Sequence, residues 1–283
     1  MQIAVSSWSF RRALYSGTLL LSDVPQVVYE CGVRYVELND LFLAPPPPGL
    51  WARWLGAKPT QVNGPDYGRK ALMRVHQARL RSGTRLVCWT IDTDLMVATA
   101  DGQRTQRVYL ATAIEAARFL GAPILRLTLG GESGSRASLS RAIDLLRSVL
   151  PVAIASGVRL AVENHGGLSS EAGVLEEVIG AFRWVKRDSA RPIGVCLDLG
   201  HFPPGEQPAG IGRLAPLAIH VHAPVDQRDA GGETASVDYR AALAALRAAG
   251  YAAAISIEYT GENDPRSGIQ VAKALIEKYV EAL

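Results

Sequence analysis

The chain has 283 residues, a formal net charge of +3 and 48% hydrophobic residues, which is ordinary for a folded globular protein. This apolar content excludes an intrinsically disordered chain, and no run approaches the roughly 18 consecutive apolar residues that a membrane-spanning helix requires. The N-terminal residues lack the charged and apolar regions of a signal peptide, so we expect a cytoplasmic protein.

Short β-branched or apolar runs alternate along the whole chain with helical stretches rich in Ala, Leu and Arg. The predicted strands are residues 2–8, 33–38, 85–91, 124–129, 158–163, 193–198, 218–222 and 254–258. The predicted helices are residues 22–31, 66–82, 103–120, 136–156, 171–187, 206–215, 237–249 and 267–282. Several helical runs end at a glycine just before the next strand, as at Gly83 and Gly121, which is typical of helix C′ residues.

Eight strand–helix repeats without a hairpin signal indicate parallel β/α units. In a chain of this length they predict an α/β fold, the (β/α)8 TIM barrel, as a single domain over residues 1–283. An open doubly wound sheet is the alternative, but no Gly-x-Gly-x-x-Gly run follows the first strand. Two long loops, residues 39–65 and 223–236, follow strands at the C-terminal face, where barrel enzymes build their active sites.

The distribution of basic residues indicates which partners to expect, and the cysteines indicate the redox environment. The basic residues are dispersed and occur at most as pairs, whereas a nucleic-acid-binding surface needs clustered cations, so we expect no nucleic-acid partner. The three cysteines, Cys31, Cys88 and Cys196, stand far apart in apolar surroundings. This arrangement indicates core packing in a reducing compartment and no disulfide framework.

Strands 5 to 8 each carry, at or near the end, a residue type that commonly binds metal ions. These residues are Glu163, Asp198, His222 and Glu258. Side chains alternate along a strand, so if these four point into the barrel, the residues of opposite parity face the surrounding helices. The residues of opposite parity are large aliphatics: Leu160, Val162, Val195, Leu197, Ile219, Val221, Ile255 and Ile257.

Three carboxylates at one barrel mouth repel one another unless a cation compensates their charge. For any one of these residues, an isolated salt bridge or a helix cap is the alternative, but that alternative is weak for four residues in register. Three carboxylates and one imidazole favour Mn²⁺, Mg²⁺ or Co²⁺ over a thiolate zinc site, with Zn²⁺ left open. The pattern therefore predicts one divalent metal ion.

Five short motifs mark strands 2, 5, 6, 7 and 8: Val36-Glu37-Leu38, Ala161-Val-Glu-Asn-His165, Leu197-Asp-Leu-Gly-His201, His220-Val-His222 and Ser256-Ile-Glu258. Their order and spacing resemble the sugar phosphate isomerase/epimerase family, the xylose-isomerase-like TIM barrels, and among them the ketose 3-epimerases. The resemblance covers essentially all eight repeats.

The resemblance implies roles for individual residues. In the ketose epimerases, Glu, Asp, His and Glu from strands 5 to 8 bind the metal, which implies the same four residues here. The two glutamates also act there as acid/base residues, which implies catalytic roles for Glu163 and Glu258. A family histidine that contacts substrate or metal corresponds by spacing to His201, and an arginine that contacts substrate in some members corresponds to Arg228.

Other inward residues are further candidates for substrate binding. Glu37 ends strand 2 and is either a substrate contact or a structural partner. Arg126 alternates with leucines on strand 4, so it points inward and either balances the carboxylates or binds an anionic substrate. Trp8 can form an apolar wall against a sugar face. His220 lies one layer deeper, which favours a hydrogen-bonded partner over a ligand.

The residue types favour proton transfer next to a carbonyl. A metal that chelates a carbonyl and the neighbouring hydroxyl acidifies the intervening C–H bond, and two carboxylates can remove and return the proton through an enediolate. We therefore predict a metal-dependent isomerase or epimerase of a sugar, ketose or related polyol. Residues 166–170 and 223–226 depart from the epimerase pattern where the substrate is read, so the substrate stays open.

Three alternatives remain. A lyase of the keto-inositol or dehydroshikimate dehydratase type can use the same intermediate to eliminate a β-hydroxyl. A non-catalytic sugar-binding or partner subunit is the second, although two intact glutamates argue against it. A multi-zinc nuclease of this fold needs more histidines than strands 2 and 3 provide. The expected partner is a small sugar or polyol, with no membrane and with a homo-oligomer left open.

Overall fold

Eight parallel strands form the centre of the molecule in this computed structural model, which describes residues 1–43, 67–130, 136–182, 191–226 and 237–281. The strands are β1 Gln2–Ser6, β2 Tyr35–Asn39, β3 Arg85–Thr90, β4 Ile124–Thr128, β5 Arg159–Glu163, β6 Ile193–Asp198, β7 Ala218–Val225 and β8 Ala254–Tyr259. Each strand pairs in parallel with the next, and β8 pairs with β1, so the sheet closes. The predicted α/β fold, a (β/α)8 TIM barrel, is confirmed.

Helices lie between the strands and pack around the barrel. They are α1 Arg11–Ser16, α2 Val24–Glu30, α3 Arg69–Ser82, α4 Ala100–Leu120, α5 Leu139–Ala155, α6 Ala172–Gly180, α7 Gln207–Leu214, α8 Tyr239–Ala248 and α9 Pro265–Glu281. Gly83 and Gly121 end α3 and α4 with φ angles of 70° and 77°, the left-handed conformation that favours glycine at C′. The glycine signals therefore placed these helix ends correctly.

The first β/α connection differs from the sequence prediction. Strand β1 ends at Ser6, whose hydroxyl accepts a hydrogen bond from the Trp8 N–H at 3.2 Å and starts a 3-10 turn. The short helix α1 follows at once and was not predicted. Its six residues are too few to establish a helical periodicity.

The alternation along the strands separates the buried apolar residues into two clusters. Ala4, Val87, Cys88, Ile124, Ala161, Cys196, Ile219 and Ala254 form a separate inner cluster. Seven of the eight aliphatics predicted to face the helices belong to the larger outer core. The exception is Ile219. Val195 of β6 pairs with Ala218, but the next residue, Cys196, pairs with His220, so Ile219 is an extra residue of β7 that bulges into the barrel.

The carboxyl ends of all eight strands lie at one face, as parallel pairing requires. Of the two long loops, residues 39–43 and 223–226 belong to the described part of the chain, and Arg228 does not. None of the described helices combines the length and the apolar character needed to cross a membrane. The three cysteines are all buried and free, as predicted.

Candidate active site

The four residues singled out at the strand ends converge at the mouth of the barrel. Ligand atoms of Glu163, Asp198 and His222 all lie within 4.8 Å of one another, and these side chains are at most 1% exposed. Glu258 approaches the same histidine, with Oε1 3.8 Å from Nδ1 of His222. Strands β5 to β8 bring them together because consecutive parallel strands end at the same edge.

His222 is the centre of this cluster. Its Nε2 lies 2.9 Å from Oε1 of Glu37, and its Nδ1 lies 2.6 Å from Oε1 of Glu163. The contact to Glu163 does not have hydrogen-bonding geometry, so the buried Nδ1 has no hydrogen-bond partner among the described residues. Buried polar atoms are normally paired, and an unpaired nitrogen beside carboxylates therefore marks a position where a cation fits.

Glu37 lies beneath His222 and is fully buried. Its Oε1 accepts a hydrogen bond from the Thr90 hydroxyl at 2.5 Å, and its Oε2 lies 2.6 Å from Nε2 of His220. Ser256 is 3.1 Å from the same histidine nitrogen. Of the two alternatives for Glu37, this position favours the structural partner, because both carboxylate oxygens already have partners inside the barrel. His220 is the hydrogen-bonded inner histidine that its parity predicted.

Arg126 points inward from β4 and is 4% exposed. Its guanidinium pairs with Glu163 and lies 2.5 Å from Oδ1 of Asp92, and it also donates to the Ile91 carbonyl at 3.0 Å. The arrangement matches the charge-balancing alternative for this residue, since each of its two terminal nitrogens contacts a carboxylate.

Asn164 is a further site residue, and its position in the motif Ala161-Val-Glu-Asn-His165 is the only sign of it in the sequence. Its amide donates to the Asp198 carbonyl at 2.8 Å and to the His201 carbonyl at 2.9 Å, and it accepts from the Asp198 N–H at 2.7 Å. Oδ1 of Asp198 in turn accepts from the N–H groups of Gly200 and His201. These bonds fix the turn after β6.

Two further predicted substrate contacts lie at the rim. The His201 side chain is 46% exposed, with Nδ1 3.5 Å from Oδ2 of Asp198 and its ring packed edge-on against His165 at 5.2 Å. Trp8 is partly buried, with its ring 6.0 Å from that of Phe42. Arg228, the remaining candidate, lies outside the described residues.

The environment separates the ionisation behaviour of the carboxyl groups. Burial raises the pKa of Glu163, but the charges of Arg126 and His222 outweigh burial and hold its pKa below the ordinary value. Burial and the neighbouring Glu163 charge raise the pKa of Asp198 to about 7. Burial also raises the pKa of Glu258 to about 7 against the opposing effect of His222. The surroundings therefore favour the ionised form of Glu163 and disfavour ionisation of Asp198 and Glu258.

A comparison with protein families decides the assignment of the chain. The family model of the xylose isomerase-like TIM barrel matches residues 26–279. The chain belongs to this family. The resemblance drawn from the strand-end motifs is thereby confirmed, and the match to this xylose isomerase-like TIM barrel covers the predicted site residues from Glu37 to Glu258. No curated protein sequence matches the chain.

Solved structures share the barrel at low sequence identity. An L-ribulose 3-epimerase is 19% identical with a TM-score of 0.71, over 100% of this chain and 95% of the other. A 3-keto-D-glucoside 4-epimerase from E. coli is 14% identical with a TM-score of 0.71, over 98% and 99%. A probable 3-DHS dehydratase from Bacillus anthracis is 14% identical with a TM-score of 0.64, over 100% and 98%. These likenesses show that the chain shares their fold.

Proposed function

We propose that the protein is a divalent-metal-dependent epimerase or isomerase of a sugar, ketose or related polyol. The observation that carries the proposal is the buried Nδ1 of His222, which has no hydrogen-bond partner in the described chain and lies among the carboxylates of Glu163, Asp198 and Glu258. The neighbouring structures named as sugar epimerases support this choice of substrate class.

The donor set fits a divalent cation. Nδ1 of His222 lies 2.6 Å from a carboxylate oxygen of Glu163 without a hydrogen bond to it, and a buried nitrogen in such a place is normally paired. Glu163, Asp198, His222 and Glu258 would hold the ion through oxygen and imidazole nitrogen, the donors that Mn²⁺, Mg²⁺ or Co²⁺ accept. When bound, such an ion supplies a Lewis acid that polarises a carbonyl and acidifies the adjacent C–H bond.

The two glutamates are suited to proton transfer. The charges of Arg126 and His222 hold the pKa of Glu163 below its ordinary value, whereas burial raises the pKa of Glu258 above its own. Pairs of carboxyl groups whose environments separate their pKa values are typical of acid/base sites. Removal of a proton by one carboxylate and its return by the other from the opposite face inverts the carbon, and return to the neighbouring carbon isomerises the sugar.

The rim residues complete a site for a hydroxyl-rich molecule. Half of the His201 side chain is exposed beside Asp198, so it can donate to or accept from a substrate hydroxyl. The partly buried Trp8 offers an aromatic face, and aromatic faces pack well against the apolar side of a sugar ring. Arg228 stays a predicted substrate contact.

The first test is exchange of substrate hydrogen with solvent. In D2O with Mn²⁺, the wild-type protein is expected to replace the reacting C–H of a ketose, and proton NMR follows the loss of that signal for L-ribulose, D-tagatose and D-psicose. Glu163→Gln and Glu258→Gln are each expected to slow exchange by about 10²- to 10⁴-fold, the usual contribution of an acid/base group. Glu176→Gln, an outer-surface glutamate paired with Arg213, is the matched control and retains exchange.

A dehydratase is the second candidate function, because one structure of the same fold is a probable 3-DHS dehydratase. A β-hydroxyl can leave from the same deprotonated substrate, so the two activities need not differ in their acid/base pair. Incubation with 3-dehydroshikimate and Mn²⁺ distinguishes them: an ultraviolet-absorbing unsaturated product with no ketose exchange favours the dehydratase. Sugar binding with neither reaction would overturn both candidates and leave a binding subunit.

A further inference from the structure

Fully buried polar contacts at the barrel mouth join Glu37 to both histidines of β7. Its Oε1 lies 2.9 Å from Nε2 of His222, and its Oε2 lies 2.6 Å from Nε2 of His220. The Thr90 hydroxyl donates to Oε1 as well, at 2.5 Å. Glu37 is therefore held by three partners from two strands, and none of its contacts is at the surface.

These contacts determine which nitrogen of His222 is available at the site. An ionised carboxylate accepts hydrogen bonds but cannot donate them, so Nε2 of His222 must carry the proton that points at Glu37. When the imidazole is neutral, Nδ1 is then the nitrogen with the lone pair, and Nδ1 is the atom beside Glu163 and Glu258. A carboxylate behind a histidine fixes both the tautomer and the ring orientation.

We propose that Glu37 is a positioning residue for metal binding, whose carboxylate holds His222 in the Nε2–H form and presents Nδ1 toward Glu163, Asp198 and Glu258. The inference rests on the proposed function, since it concerns the same site. In this proposal the carboxylate of Glu37 contacts His222 and does not contact the substrate. Thr90 and His220 keep the carboxylate in place, so the support for one ligand extends across β2, β3 and β7.

The main test is the affinity for Mn²⁺, measured by equilibrium dialysis on the full chain. Glu37→Gln is expected to weaken Mn²⁺ binding by about 10- to 100-fold, the usual effect of losing such a partner. The amide has one acceptor oxygen, so it places an N–H group against one of the two histidine donors. Glu37→Asp retains a carboxylate and is expected to recover part of the affinity.

Asp40→Asn is the matched control, because Asp40 is also a buried acid near the end of β2 but bonds to Tyr67 and Tyr109. It is expected to bind Mn²⁺ as wild type does. Thr90→Val keeps the carboxylate and removes one of its donors, so it is expected to give a smaller loss. This variant also carries the test should Glu37→Gln not fold.

A second readout separates positioning from general loosening of the site. In the Zn²⁺-loaded protein with labelled histidine, nitrogen NMR is expected to show His222 protonated at Nε2 and bound through Nδ1. Binding through Nε2, which direct coordination by Glu37 would bring about, overturns the inference. Unchanged Mn²⁺ affinity in both Glu37→Gln and Thr90→Val also overturns it while leaving the proposed function intact. Failure of the wild-type protein to bind Mn²⁺ overturns the metal-dependent function and the inference together.

Discussion

The buried charges at the barrel mouth depend on one or two oppositely charged partners each. Arg126 and Glu163 are both almost fully buried and pair with each other, and Asp92 is the second carboxylate on the same guanidinium. A buried ion pair gains little over an apolar pair of the same shape, but removal of one partner leaves an uncompensated charge. The stability of the site therefore depends on pairs of residues rather than on single groups.

Arg126→Met tests this dependence. It is expected to lower the free energy of unfolding by about 3–5 kcal/mol, because the buried carboxylate of Glu163 loses its counterion, whereas Asp92 is 44% exposed. The double variant Arg126→Met/Glu163→Gln is expected to be less destabilised than the sum of the single variants. Urea unfolding followed by circular dichroism measures all three.

Arg213→Met is the matched control for this cycle. Arg213 pairs with Glu176 on the outside of the barrel, where the two side chains are 52% and 36% exposed. Its loss is expected to cost at most about 1 kcal/mol, as for other exposed pairs. An equal cost for Arg126 and Arg213 would contradict the assignment of a buried, uncompensated charge.

A second residue-scale prediction concerns Asp40, whose pKa burial raises to about 7 despite hydrogen bonds from Tyr109 and Tyr67. The folded protein thus binds this proton more tightly than the unfolded chain, where the pKa is near 3.8. The resulting stability is fully present below about pH 4 and is lost as the pH rises through 7, amounting to a few kcal/mol at about 1.4 kcal/mol per pKa unit.

Asp40→Asn is expected to remove this slope, because an amide keeps an acceptor for the tyrosines without taking up a proton. Thermal unfolding between pH 4 and 8 is the measurement, and the variant should gain stability relative to wild type at pH 8. Asp144→Asn, with a carboxyl 72% exposed on α5, is the control and should follow the wild-type profile. If the stability of Asp40→Asn changed with pH in the same way as that of wild type, the raised pKa of Asp40 would be disproved.

Single elements show what the sequence could and could not predict. The glycines that end helices predict where the following strands begin. The alternation of side chains along each strand predicts that Glu163, Asp198 and His222 point into the barrel. The bulge at Ile219 does not follow from that period, because it depends on how β6 and β7 pair across space. The contacts of Glu37 do not follow from the period either, since its partners come from β3 and β7 and are distant in the chain.

The bulge leads to an element-scale prediction about Gly194 on β6. A Cβ at this position would lie 2.6 Å from Cγ2 of Ile219 and 2.8 Å from the Leu217 carbonyl oxygen. Gly194→Ala is therefore expected to destabilise the barrel by about 1–3 kcal/mol through overpacking. Gly212→Ala on α7 meets open space and is expected to stabilise by up to about 1 kcal/mol. Urea unfolding of the two variants measures these changes. An unchanged free energy of unfolding in Gly194→Ala would mean that Ile219 does not pack against Gly194 inside the barrel.

At the scale of the whole molecule, the candidate site draws on half of the closed sheet. Glu163, Asp198, His222 and Glu258 come from four consecutive strands, β5 to β8. These four side chains can bind one ion together only when the strands are in register, so the unfolded chain has no comparable site. The proposed function therefore predicts that metal binding and cooperative unfolding of the barrel are linked.

Removal of the metal is expected to lower the stability of the whole barrel. At a free Mn²⁺ concentration 100 times the dissociation constant, the ion adds about 2.7 kcal/mol to the free energy of unfolding, and a chelator removes this contribution. Differential scanning calorimetry with and without the chelator measures the shift of the single transition. His222→Ala removes the central ligand and should show no shift, whereas Glu176→Gln on the outer surface should shift as wild type does. An equal Mn²⁺ effect in wild type and His222→Ala would mean that the stabilising ion binds elsewhere, and the linkage between this site and barrel closure would then fail.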